Sequence, residues 1–119
     1  MVAVPRPDAP ASAASRLVRA RGELDISTLP ELETSLVRAF TAPGPPHVVL
    51  DMREVTFLDC TVVRLLLRVR NRALAREGSL ALVCGQVPVG RLLGQLGLTH
   101  RLPAYASVTD ARSAVQTTG

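Results

Sequence analysis

An α/β fold, a parallel or mixed sheet covered by helices, is predicted by two kinds of segment that alternate along the chain. "HVVLDM" (His47 to Met52) and "SLALVC" (Ser79 to Cys84) are short apolar runs bounded by Pro and Gly breakers. Runs of that length and flanking fit strands buried on both faces. The segments around them carry helical periodicity. In the clearest, Val89, Leu92, Leu93 and Leu96 fall at i, i+3, i+4 and i+7.

The remaining elements follow in order. Met1 to Ser15 is rich in Pro and Ala and is expected to be a flexible tail, with a short edge strand near Val2 to Val4. From Leu17 to Gly22 the alternation places Arg on both faces, which fits an exposed or edge strand. "GELD" (Gly22 to Asp25) turns the chain. Thr28 and Glu31 then stand in capping-box spacing, with Pro30 tolerated in the first turn. Leu29, Leu32, Leu36 and Phe40 give that helix one apolar face, and "APGPP" (Ala42 to Pro46) ends it. A second helix is predicted from Cys60 to Arg76 with Gly78 as its stop. Pro88 opens the third, and Gly97 takes its C′ position with Leu98 against Leu93. "RLPAYA" fits a last short strand. Ser107 and Asp110 cap a terminal helix whose inward face is Val108, Ala111 and Val115.

The length of 119 residues fits one domain. At 47% hydrophobic and 3% aromatic, its core must be built from Leu, Val and Ala. All 14 basic residues are Arg, and the net charge is +4. A basic balance can signal nucleic acid. The lack of stacking aromatics, helix-turn-helix pattern or zinc-finger spacing argues against it. Two cysteines make no disulfide framework. No signal-peptide pattern opens the chain and no apolar run approaches the ~20 residues of a membrane span, so a cytoplasmic protein without membrane insertion is expected.

The densest group of reactive side chains is "FLDCTVV" (Phe57 to Val63), where an acid, a thiol and a hydroxyl meet at a strand-to-helix turn. A catalytic Cys60 would need a base, and only His47 and His100 are available. His47 begins the strand that ends before Cys60, so the two are expected at opposite ends of the sheet. Cys60 and Cys84 have no metal-ligand spacing, and no phosphate-cradling glycine motif is present. Neither catalysis, metal nor cofactor is therefore expected. Asp59 is expected to cap the second helix. Arg64, Arg68, Arg72 and Arg76 repeat every four residues as one slanting ridge, either a solvated face or a docking ridge for an acidic partner.

"GELD", "VVLDMREVTFLD" and "LLGQLGLTHRLPAYASVTDA", in this order and spacing, resemble the STAS domain, the family of sulfate transporter and anti-sigma factor antagonist domains. The resemblance spans about residues 16 to 116, leaving 117–119 as a C-terminal tail, and its single-domain length is similar to the bacterial antagonists. It implies a STAS-like mixed, largely parallel sheet of four to five strands covered by about four helices.

The resemblance also implies a mechanism. Such antagonists bind an anti-sigma factor that is also a serine kinase, and so release a sigma factor and regulate transcription. The kinase phosphorylates a Ser at the start of the second helix, and a phosphatase reverses this. Against the family pattern Asp-Ser-Ser/Thr-Gly, Asp59 matches the Asp, Cys60 falls on the phosphoacceptor, Thr61 matches the next hydroxyl and Val62 replaces Gly. A thiol is no ordinary substrate for such a kinase, so the phospho-switch at Cys60/Thr61 is expected to be divergent or absent. Asp25, Asp59, Cys60, Thr61, Arg64 and Arg68 are the candidate partner-binding residues. The alternative is a STAS accessory subunit of a lipid or solute transporter. A third reading, redox sensing, rests on a thiol at a positive helix end.

Overall fold

His47–Leu58 forms the strand around which the chain is arranged. In the computed structural model, which describes residues 15–41, 43–85, 87–98 and 101–118, the order is β1 (Arg16–Leu24), α1 (Leu29–Ala39), β2 (His47–Leu58), α2 (Cys60–Ala75), β3 (Ser79–Val83), α3 (Val87–Gln95), β4 (Ala104–Tyr105) and α4 (Val108–Thr118). The strands lie in the order β1-β2-β3-β4, and each pairing among them is parallel. Parallel neighbours need crossovers, and the helices between successive strands supply them.

The sheet is covered on both faces. Val18, Val48, Leu50, Met52, Leu80 and Leu82 face a core closed by Leu32 and Leu36 of α1, Val62, Leu66 and Val69 of α2, and Leu93 of α3. Leu17, Val49, Ala81 and Val83 face a smaller cluster with Ala111 of α4. The two-sided burial read from "HVVLDM" and "SLALVC" is thus the observed one.

Asp51 is the exception within that run. It is 6% exposed, and its carboxylate accepts from Arg53 Nε at 2.9 Å and Nη2 at 2.8 Å, with Arg19 at 3.8 Å. A charge in this position is tolerated because it is paired and hydrogen-bonded.

Several boundaries differ from expectation. The second strand is twice as long as its apolar run. Beyond Asp51 it pairs only with β1, through two register shifts, so its side chains no longer need to be apolar and the pattern disappears from view. The first strand lies at the edge of the sheet, but it continues through Glu23 and Leu24, where a turn is expected from "GELD". Its Arg16 is buried: the guanidinium donates to the Ala39 carbonyl at 2.6 Å and the Pro43 carbonyl at 2.8 Å, holding the end of α1.

Helix termini also depart from their signals. Thr28 occupies the N-cap of α1 but forms no capping box. Its hydroxyl instead accepts from the Asp25 N–H at 3.0 Å and donates to the Glu23 carbonyl at 3.1 Å. At the end of α2 the left-handed residue is Glu77 (φ 62°), while Gly78 follows it and donates to the Ala73 carbonyl at 2.7 Å. Gly78 is required for closeness: a Cβ there would stand 2.1 Å from the Pro46 carbonyl oxygen. Gly97 (φ 69°) does take the C′ position of α3, and Leu98 N–H donates to Leu93 C=O at 3.0 Å. Leu96, expected on the inner face, lies past the last helical residue and is exposed. Ser107 accepts from Asp110 N–H at the start of α4. The readings at Val2 to Val4, at His100 and for the side chains of Val89 and Val115 lie outside the described residues.

Gly78→Ala is expected to lower unfolding stability by about 1–3 kcal/mol in urea titration, through overpacking against Pro46. Glu77→Gly is expected to raise it by up to about 1 kcal/mol by removing a left-handed side chain. A Gly78→Ala midpoint equal to wild type would show that the close approach imposes no constraint.

Candidate functional site

The site grows out of the end of β2. Leu58 is buried, and the next residue, Asp59, is extended (φ −86°, ψ 152°), the geometry of a helix N-cap. Its N–H donates to the Leu24 carbonyl at 2.9 Å, tying the end of β1 to the start of α2. Its Oδ1 accepts from the Thr61 N–H at 2.9 Å and from the Thr61 hydroxyl at 2.7 Å. These two bonds hold the Asp59 carboxyl below its ordinary value, while neighbouring Asp25 pushes it the other way.

The three residues that follow are sorted by the helix. Cys60 is a free, exposed thiol at the first helical position. Thr61 is half-buried, with its hydroxyl turned back onto Asp59. Val62 is fully buried, and Val63 is nearly so. Val62 therefore anchors the first turn of α2 into the core.

A second turn lies beside the first. Asp25 Oδ1 accepts from Ser27 N–H at 2.9 Å, Ser27 hydroxyl at 2.6 Å and Thr28 N–H at 3.2 Å. The Ser27 hydroxyl bond is the largest of the effects that hold the Asp25 carboxyl below its ordinary range. Oδ1 of each acid is thus occupied by local donors.

The arginine ridge is divided between two tasks. Arg72 and Arg76 lie over the Phe40 ring, at 5.9 and 6.0 Å from its centroid, and Arg76 donates to the Phe40 carbonyl at 2.9 Å. They fasten α2 to α1. Arg64 and Arg68 are exposed on the outward face, and the first turn of α2 holds no acid. The positive helix end and two guanidiniums therefore share one surface with Cys60.

His47 is hydrogen-bonded to Ser79 at 2.9 Å, at the end of β2 remote from Cys60. The structure does not bring this base to the thiol. Burial, with Asp51 adding to it, pushes the Cys84 thiol up to about 11. Among the described residues no three His, Cys, Asp or Glu side chains cluster as metal ligands, and no helix is long and apolar enough to cross a membrane.

A model of the STAS domain matches residues 6–111. The chain belongs to the STAS domain family. An anti-sigma-F factor antagonist of Mycobacterium tuberculosis, RsfA, is 30% identical over 101 residues, covering 82% of this chain and 77% of the relative. An anti-sigma F factor antagonist of Paenibacillus polymyxa is 29% identical over 96 residues, covering 80% and 81%. In structure, the chain is similar to an anti-sigma factor antagonist from Mycobacterium paratuberculosis, with a TM-score of 0.76 at 24% identity over 95% and 93% of the two chains.

Two exposed apolar side chains of this STAS domain had no counterpart in the sequence reading. Ile26, in the turn after Asp25, is 71% exposed, and Phe57, near the end of β2, is 52% exposed. Phe57 could have been found had the strand been extended to Leu58, because Val55 and Leu58 take the inner positions. Ile26 carries no periodic signal.

The carboxyls of Asp25, Asp51 and Asp59 are all held below their ordinary range in the folded chain. Their contribution is complete above about pH 4 and is lost as pH falls through the lower folded values. Melting temperature is expected to be level above that pH and to fall below it. Asn is as good an N-cap as Asp. Asp59→Asn should therefore melt close to wild type at pH 7 with a flatter acid limb, whereas Asp59→Ala should melt lower throughout. Identical acid limbs for wild type and Asp59→Asn would contradict the assignment.

Proposed function

We propose that this STAS domain is an anti-sigma factor antagonist. It binds an anti-sigma factor, displaces the sigma factor held there, and so regulates transcription by binding and not by catalysis. The observation that carries this reading is the family membership together with two sequence relatives bearing that role in their names, across about four-fifths of the chain. Those relatives favour the antagonist over an accessory subunit of a transporter. A pull-down with purified chain, in ADP and in ATP, should recover an anti-sigma factor of the serine-kinase type. Recovery of none in either nucleotide would count decisively against the role.

Within that role the phospho-switch is lost and the antagonist is constitutive. Two features support this. The exposed residue at the helix start is a thiol, and the neighbouring hydroxyl already donates its proton to Asp59. A phosphate on Thr61 would have to give up that bond and would add about −1.5 to −2 charges beside Asp59. Neither a kinase nor a phosphatase then governs this chain.

Incubation with the partner and ATP, followed by intact-mass spectrometry, is expected to leave the wild-type chain unmodified. Cys60→Ser should gain one phosphate under the same conditions. A phosphate on the wild type that disappears in Thr61→Ala would restore the switch at Thr61. Reversal of charge in Arg64→Glu/Arg68→Glu should slow association by about tenfold at low salt, with less effect as salt rises.

A further inference from the structure

β1 is an edge strand of nine residues, and among the described residues no strand pairs with its outer side. Alternate residues of such an edge turn an N–H and a C=O outward, away from the sheet. Folded proteins ordinarily cover or block an edge of that length.

A groove of about 150 Å³ runs along the same strand. Ala20 and Leu24 of β1 and Leu32 of α1 give it an apolar floor, and Thr28, Glu31 and Ser35 form its polar wall. β2 contributes nothing to the lining, so the groove opens outward, beside the edge of β1.

The chain itself supplies a segment of matching pattern. Residues 1–14 come directly before Ser15 and the start of β1 at Arg16. A strand folding back from there runs antiparallel to β1, with its own beginning near Leu24. Val2 to Asp8 spans about 24 Å, against roughly 30 Å for β1, and Ala9 to Ala14 remain for the connection. Val2 and Val4 lie two apart, so an extended backbone puts both side chains on one face. Pro5 and Pro7 are also two apart and alternate with them. Where the prolines turn their nitrogens outward, no ladder donor is lost, and Val4, Arg6 and Asp8 donate toward β1. The prolines then deny the new outer side to any further strand.

We infer that Val2 to Asp8 forms an antiparallel fifth strand on the outer edge of β1, with Val2 and Val4 facing the groove beside Leu24 and Leu32. The consequence reaches the candidate site. The Leu24 carbonyl accepts from the Asp59 N–H at 2.9 Å, and the Asp25 turn begins at the next residue. A strand bonded along Gly22 to Leu24 fixes the end of β1 to which the start of α2 is tied. The N-terminal segment is thus a brace for the surface that carries Cys60 and Arg64. This does not depend on the antagonist role proposed above.

Amide exchange followed by NMR on the full chain tests the brace. Val4, Arg6 and Asp8 should exchange at least about a hundredfold more slowly than in a peptide of residues 1–15. Val4→Pro removes one donor of the ladder. It should return Arg6 and Asp8 to the peptide's rates and speed exchange at Asp59 by about tenfold. Pro5→Ala/Pro7→Ala should keep the protection, since both nitrogens face away from β1. Peptide-like rates at all three amides of wild type would overturn the inference. Protection that survives Val4→Pro would do the same, because something other than this ladder would then hold the segment. Loss of protection in the proline double variant would contradict the outward placement and with it the strand. Protection of β1 that disappears on dilution would make the covering strand that of a second copy, and would also overturn the inference.

Discussion

Val48, Val49, Leu50 and Met52 are sealed completely from water on alternating sides of one strand. A strand in that position needs a layer on each face, and the rest of the chain is arranged to supply them. Three helices cover one side and α4 the other. Neighbouring strands must be parallel, since each crossover helix returns the chain to the same end. Even the charge within the run obeys the constraint: Asp51 is tolerated because Arg53 grips both its oxygens.

The same strand sets where the site stands. It outruns β3 and ends at Leu58, delivering Asp59 to the rim beside the end of β1. There one carboxylate does two jobs. It caps α2 through the Thr61 N–H and occupies the Thr61 hydroxyl. Val62 then drives the turn into the core, so Cys60 is left facing outward. The turn is thus fixed from both sides, by the Asp59 carboxylate at the rim and by Val62 in the core.

Legibility in the sequence followed the range of the forces involved. The buried strands, the Asp59 cap and the Gly97 stop were readable because periodicity and capping act over four or five residues. The capping box at Thr28 failed although its spacing was right, because Asp25 had already turned the chain and claimed the Thr28 N–H. Gly78 was placed correctly and explained wrongly. Its need lies in Pro46, 32 positions earlier, and not in its own dihedral. Of the candidate site, Asp59 and the order of Cys60, Thr61 and Val62 were legible, whereas Ile26 and Phe57 were not.

By itself the sequence determined the alternation of strand and helix, the two-sided burial of the sheet and the cap that begins α2, because each depends on residues within a turn or two. Only the tertiary structure decided which arginines of the ridge remain available. Arg76 is taken by Phe40, 36 positions away, while Arg64 and Arg68 remain on the exposed face. It also decided that Phe57 faces water. Exposure is set by what distant segments pack against, and no local pattern records that.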